Sequence, residues 1–251
     1  MTIDAASNRT PAAGRPRAAT PGELAFYGAC RAIAVGASWL YYPGPVVGAE
    51  HIPKTGSFIL APTHRSYIDW LIAARVTRRR LRYLVKAEVW KSKAAGRLVE
   101  ALGGFPVQRG AADRHAFTLA LSVLATGEPL VVFPEGTRQR GPEITTLQDG
   151  AAYLALRAWV PIVPVALGGT EAAMPRGASM PRPGRVRIVV GEPISPGDFP
   201  WGLAEGSARV PRAATRALSE VLRARLQALL DQSEGRGPAR GATEQADGDR
   251  S

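Results

Sequence analysis

Three short stretches of the 251-residue chain hold the residue types from which general-base chemistry and anion binding are built. In the first, Pro62-Thr63-His64-Arg65-Ser66-Tyr67-Ile68-Asp69, an imidazole precedes a carboxylate by five positions. On a continuous helix that spacing sets the two side chains about 140° apart, so a contact between them needs His64 in the turn that leads into a helix. A carboxylate against one imidazole nitrogen fixes the ring's tautomer and leaves the other nitrogen to take a proton, which is how a general base is made. The second stretch, Gly103-Gly104-Phe105-Pro106-Val107-Gln108-Arg109, and the third, Phe133-Pro134-Glu135-Gly136-Thr137-Arg138, each end in arginine. Gly136 permits a turn with exposed N–H groups, and with Thr137 and Arg138 it could cradle a phosphate, Arg109 completing a two-arginine clamp. Taken singly, each has a plainer reading: a structural loop histidine, and arginines that pair at strand ends.

These loops need a scaffold that brings them together. Short apolar runs at 57–61, 105–108, 130–133, 162–167 and 186–190 read as strands. Between them helices are expected over 67–76, 87–102 stopped by Gly103 and Gly104, 114–126 capped by Asp113 and Gly127, and 150–159, with a last amphipathic helix over 213–230. Alternation of this kind implies an α/β fold, a single domain with a mainly parallel sheet flanked by helices. In such sheets ligands bind beyond the ends of the strands, where the three loops fall.

The order and wording of the motifs resemble the glycerolipid acyltransferase family, that of the lysophosphatidic acid and glycerol-3-phosphate acyltransferases. The family's His-x4-Asp motif matches His64 to Asp69, its second block Gly104 to Arg109, and its third is Phe-Pro-Glu-Gly-Thr-Arg at Phe133 to Arg138, letter for letter. A fourth block, an apolar strand with a central proline, matches 160–165 with Pro161 and Pro164; Lys86, Gly96 and Val190-Gly191-Glu192-Pro193-Ile194 also fit, so the likeness runs from about residue 46 to 194. Two departures stand out. Thr63 precedes the motif histidine where many lysophosphatidic acid acyltransferases have Asn, and His-Arg-Ser-Tyr-Ile-Asp is closer to the wording of the glycerol-3-phosphate and dihydroxyacetone-phosphate enzymes. After the third block, Leu147, Gln148 and Asp149 precede Gly150 where the family commonly has Phe-Lys and a further basic residue.

The resemblance implies transfer of a fatty acyl group from acyl-CoA, or an acyl carrier protein, to a hydroxyl of a glycerol-phosphate lipid. The first expectation for the acceptor is 1-acyl-sn-glycerol-3-phosphate, giving phosphatidic acid; glycerol-3-phosphate or another lysophospholipid is the alternative. His64 and Asp69 are the implied catalytic pair, and Arg65, Ser66, Arg109, Glu135, Gly136, Thr137 and Arg138 the implied substrate-binding set, Glu135 positioning the glycerol hydroxyl. No metal and no bound cofactor is implied. Hydrolysis through Ser66 is a rival, weakened because no Gly-x-Ser-x-Gly elbow surrounds it. A rival of another class is a non-enzymatic basic protein that binds nucleic acid or membrane through Arg75, Arg78, Arg79, Arg80 and Arg82; no nucleic-acid partner is expected, and an anionic membrane surface is preferred.

Composition sets the bounds. With 45% hydrophobic and 21% charged residues the chain is neither disordered throughout nor a polytopic membrane protein. Its net charge of +11 rests largely on arginine in a chain rich in Ala, Gly and Pro. The single cysteine, Cys30, excludes an internal disulfide and reads as a buried apolar residue; with the scattered His51, His64 and His115 it makes no zinc site. Residues 1–21 and 232–251 are expected to be disordered tails, 22–45 an apolar membrane-associating helical segment and 46–231 the acyltransferase domain. The apolar stretch 24–42, ending in Trp39, Tyr41 and Tyr42, is borderline in length for a bilayer. A helix lying in one leaflet on the cytoplasmic face of the cell membrane is the expectation, a helix packed on the core the alternative; for a signal peptide no small-x-small cleavage pattern follows.

Overall fold

The structure, a computed structural model, describes residues 20–107, 114–175, 177–200, 203–207 and 209–236. Most of both expected tails, and Arg109 with Gln108 and Asp113, lie outside the described residues. The elements are α1 (Pro21–Tyr41), β1 (Val46–Val47), β2 (Ile59–Pro62), α2 (Asp69–Ala73), β3 (Arg82–Lys86), α3 (Lys93–Ala101) and β4 (Gly104–Val107). There follow α4 (Arg114–Ala125), β5 (Leu130–Val131), α5 (Gly150–Ala158), β6 (Ile162–Gly168), α6 (Thr170–Ala173), β7 (Arg187–Val190) and α7 (Arg212–Ser233). Among the described residues the strands form one sheet in the order β1-β7-β6-β2-β5-β3-β4. Every neighbouring pair is parallel except β6 and β7.

Because side chains alternate across a strand, each strand feeds two cores. Ile59, Leu130, Ile162 and Ala166 face α4, α5 and α7, where Leu124, Leu154, Leu218, Leu222 and Leu226 are buried. Phe58, Leu60, Val131, Val163, Val165 and Leu167 face the other way, toward α1 and α2 with Val35 and Ile72. The expected α/β architecture of a mainly parallel sheet between helices is therefore the one found. The expected helix over 67–76 is shorter, α2 followed by a 3-10 turn at Ala74–Val76. The strand pattern missed β3, whose first residue, Arg82, is drawn inward by Glu128 at 3.5 Å. Helix α7 continues to Ser233, past the domain boundary expected at 231. At the end of α5, Trp159 takes a left-handed conformation (φ 55°) that turns the chain into β6.

The arginine run is a correction. The sequence offers it as a patch for nucleic acid or membrane, but Arg75 is buried and Arg79, Arg80 and Arg82 are partly buried, with Arg78 alone of the five exposed. Arg75 donates from Nε to Ser38 Oγ (2.9 Å), from Nη1 to Tyr42 O (2.8 Å) and from Nη2 to Ser38 O. The acceptors, one hydroxyl and two carbonyls, lie at the C-terminal end of α1, which has no basic residue in its own last turn, so Arg75 caps that helix from α2's side. Arg31 of α1 reciprocates with bonds to Ala74 O (2.7 Å) and Thr77 O. Arg79 bonds Pro53 O and Gly127 O, and Arg80 and Arg82 flank Glu128. Burial lowers the Arg75 pKa to about 10, so it stays charged at neutral pH. The run joins elements: Arg75 and Arg79 donate to the protein's own oxygens, and Arg80 and Arg82 pair with Glu128.

Helix α1 packs through Tyr27, Val35 and Ser38. Its outer side carries Phe26, Ile33 and Leu40, seven residues apart and hence on one stripe, with Ile33 75% and Leu40 88% exposed. Cys30, expected to be buried, is only partly so. Among the described residues no helix is long and apolar enough to cross a membrane.

Candidate active site

The adjacency of β2 and β5 at the middle of the sheet sets the loops that follow them side by side. Past β2, Thr63 extends the ladder by donating to Val165 O (2.9 Å), and its hydroxyl accepts from Leu167 N (3.0 Å). The chain then turns sharply, and Asp69 at the start of α2 organises the turn. Its Oδ2 accepts from Arg65 N and Ser66 N, both at 2.7 Å, and lies 2.9 Å from His64 Nδ1. Asp69 is fully buried, whereas the His64 side chain keeps 19% of its surface exposed. With Nδ1 committed to the carboxylate, Nε2 is the nitrogen left for proton transfer. The spacing of five works for the reason expected: His64 lies in the turn and Asp69 in the helix.

The third motif closes on the same histidine. Phe133 stacks on the His64 ring, centroids 4.2 Å apart and planes 28° from parallel. Gln139 N donates to His64 O (2.9 Å), and Glu135 Oε1 accepts from His64 N (2.6 Å). Glu135 is buried, with Oε2 3.6 Å from Arg65 Nη2 in an ion pair, and the same Nη2 donates to Glu143 O (3.1 Å). Burial pushes the Glu135 carboxyl up to about 7, against the lowering pull of Arg65 and the His64 amide, with nearby Asp69 adding to the rise. A carboxyl so placed holds the base's backbone and balances a buried guanidinium.

The sequence-derived set thus divides. His64, Gly136, Thr137 and Arg138 lie at the accessible surface of the site, and Asp69 directly behind the histidine. Glu135, Arg65 and Ser66, expected to meet substrate, are buried: Ser66 Oγ donates to Met174 O (2.8 Å), and no bond joins it to His64. That geometry is not one of a serine nucleophile with its base. Gly136 makes the expected turn, at φ +69°, but its N–H is not left open as expected: it donates to Phe133 O (3.0 Å). The Arg138 guanidinium lies over the Tyr67 ring, 3.3 Å from its centroid. Sequence reasoning missed Thr63 as a backbone partner, Phe133 as the surface beneath the imidazole, and Tyr67; the aromatic residues inside the motifs were the available signal. Among the described residues no three His, Cys, Asp or Glu side chains gather as a metal-holding group.

Fold and site together define an α/β protein with an imidazole–carboxylate pair beside an arginine-bearing turn at the C-terminal edge of its sheet. A family model described as Acyltransferase matches residues 45–168, which contain both loops. A 1-acyl-sn-glycerol-3-phosphate acyltransferase of Bacillus subtilis is 27% identical over 192 residues, 74% of this chain and 89% of the relative. The mouse 1-acyl-sn-glycerol-3-phosphate acyltransferase alpha is 29% identical over 154 residues, 60% of this chain; of that protein, and of several other curated relatives, the chain spans about half the length. The crystal structure of the 1-acyl-sn-glycerophosphate (LPA) acyltransferase PlsC from Thermotoga maritima has the same fold, with a TM-score of 0.60, 24% identity and coverage of 82% of this chain and 80% of that one. By the family model, the curated relatives and the fold alike, the chain is similar to the glycerolipid acyltransferases.

Proposed function

We propose that the protein is an O-acyltransferase that converts 1-acyl-sn-glycerol-3-phosphate to phosphatidic acid. The observation that carries the reading is the partly exposed His64, backed by buried Asp69 at 2.9 Å and set beside the Gly136-Thr137-Arg138 turn. The Bacillus subtilis relative, matched over 89% of its length and named for this activity, supports the choice of acceptor. The donor is an acyl thioester of coenzyme A or an acyl carrier protein, and no metal or bound cofactor takes part.

His64 Nε2 takes the proton of the acceptor hydroxyl as that oxygen attacks the thioester carbonyl carbon. Collapse of the tetrahedral species breaks the carbon–sulfur bond, and the thiolate leaves with the proton held on His64, so no acyl-enzyme forms. Asp69 stabilises the imidazolium between the two proton transfers. Arg138, with Thr137 and Arg109, binds the acceptor's phosphate and holds the hydroxyl in attack geometry. Arg65, Ser66 and Glu135 act one step back, by fixing the turn that carries His64.

The outer stripe of α1 lies on the cytoplasmic face of the cell membrane. A helix apolar on both sides has one for the protein and one for lipid, and a helix of 21 residues lies along a bilayer for about 31 Å. The test is release of free thiol from oleoyl-CoA with lysophosphatidic acid, glycerol-3-phosphate, other lysophospholipids or no acceptor, for wild type and His64→Ala. Release that depends on lysophosphatidic acid and falls by about two to four orders of magnitude in the variant is expected. Release without acceptor, or near-normal turnover by His64→Ala, refutes the reading.

A further inference from the structure

We propose that Tyr67 is a positioning residue: its ring face holds the Arg138 guanidinium in place for the acceptor's phosphate. One turn then sets both the proton acceptor and the phosphate clamp. The proposal rests on the function proposed above and adds a residue to it.

The geometry is that of a cation over an aromatic face, with Arg138 Cζ 3.3 Å from the centroid of the Tyr67 ring. Stacking occupies the flat face of a guanidinium and leaves its N–H donors, which lie in the plane, free to fork onto a phosphate. Among the described residues Arg138 makes no hydrogen bond and no ion pair. Arg65 of the neighbouring turn is, by contrast, buried, donating to Glu143 O and lying 3.6 Å from Glu135. Arg138 is therefore placed by a contact that uses up none of its donors.

Tyr67 itself is 42% exposed, so its ring serves no core. Its backbone is fixed all the same. Asp69 Oδ2 pins Arg65 N and Ser66 N just before it, and the same oxygen holds His64 Nδ1. On the other loop, Gln139 N bonds His64 O, which ties the residue after Arg138 to the histidine. The separation between Nε2 of the base and the donors of the clamp is thus set by two short, cross-bonded loops. It selects an acceptor whose hydroxyl and phosphate monoester sit a short, fixed distance apart, as on one glycerol unit.

The experiment uses the full chain with oleoyl-CoA and 1-oleoyl lysophosphatidic acid in detergent mixed micelles, for Tyr67→Leu, Tyr67→Phe, Arg138→Ala and the Tyr67→Leu/Arg138→Ala pair. A cation–aromatic contact at an exposed site corresponds to about a two- to fivefold effect on binding. Tyr67→Leu is expected to raise the acceptor KM by about that factor, with kcat and the donor KM within about twofold of wild type. Tyr67→Phe, which keeps the ring face, brings the acceptor KM back. In the Arg138→Ala background Tyr67→Leu has no further effect, because the partner it positions is gone. An equal effect with and without Arg138, a fall in kcat with KM intact, or a Phe variant that behaves as Leu overturns the proposal while leaving the acyltransferase reading in place. Absence of wild-type transfer to any phosphate-bearing acceptor overturns both.

Discussion

Asp69 has two roles that substitution can separate. One oxygen, Oδ2, accepts from Arg65 N and Ser66 N and meets His64 Nδ1, while Oδ1 has no partner among the described residues. In Asp69→Asn the amide oxygen must take the Oδ2 position, since the opposite flip would aim an NH2 group at two backbone N–H donors. The turn and the histidine tautomer survive, and the charge behind the imidazole is what is lost. Opposite charges about 4 Å apart attract by about 4 kcal/mol at an effective dielectric near 20, which caps the loss near a thousandfold. A fall in kcat of about 100- to 1000-fold is expected, smaller than the ~10⁴ that follows when a catalytic imidazole is left in the wrong tautomer. Asp69→Ala instead leaves both amides buried without an acceptor, at about 1–3 kcal/mol each, so about 2–6 kcal/mol of stability goes, a large share of the ~5–15 kcal/mol typical of a domain. Urea denaturation and thiol-release rates on the same preparations measure both quantities. The Asn variant should stay within about 2 kcal/mol of wild type. Equal destabilisation by Asn and Ala, or an Asn variant that keeps more than about a tenth of kcat, would refute the division of roles.

Two further outcomes follow from buried and exposed groups elsewhere. Burial raises the Glu135 carboxyl from 4.5 to about 7, so the folded chain binds more protons than the unfolded one between those values; stability falls as pH rises through that window, by roughly 3 kcal/mol in all. In Glu135→Gln the slope of Tm between about pH 5 and 8 flattens, and an unchanged slope would assign the pH dependence to another group. Replacing Ile33 and Leu40 of α1 by Asp removes two exposed apolar side chains, each worth about 1.5–3 kcal/mol on burial in lipid; binding to anionic phospholipid vesicles should fall about 100-fold or more with Tm unchanged, and undiminished binding would exclude α1 as the lipid-facing element.

What could be read from the residues alone was local. The turn that joins His64 to Asp69 lies within one motif, and the left-handed turn at Gly136 is written in its residue type. The alternation of apolar runs and amphipathic stretches was enough for the sheet and its covering helices. The rest depends on partners distant in the chain. Thr63 stands next to the motif histidine, yet its hydroxyl satisfies the amide of Leu167, a partner supplied only when β6 pairs with β2. Arg75 ends a helix 33 residues upstream, at Tyr42, so a run that resembles a surface patch in the sequence becomes joinery in the fold. The family resemblance assigns Glu135 to the substrate; the sheet order, which sets β5 against β2, turns it inward onto His64 N.

That inward turn has a consequence for how the site can vary. Four contacts fix His64: Asp69 on the ring edge, Phe133 on the ring face, Glu135 on the amide and Gln139 on the carbonyl. Pro134 O is in turn held by Gln148 N at 2.7 Å, so the loop that carries the third motif is anchored at the base of α5. A base constrained on every side has little orientational freedom to lose when substrate arrives, and the barrier is lowered in advance by the fold. Because the constraints are mutual, changing any one of them disturbs the base and leaves acceptor preference untouched. Discrimination between lysophosphatidic acid and other acceptors must then come from groups at the site that no such bond restrains: Thr137, Arg138 and the ring of Tyr67. Substitutions at those three should change KM ratios between acceptors, whereas substitutions at Asp69, Glu135 or Arg65 should lower turnover with every acceptor alike.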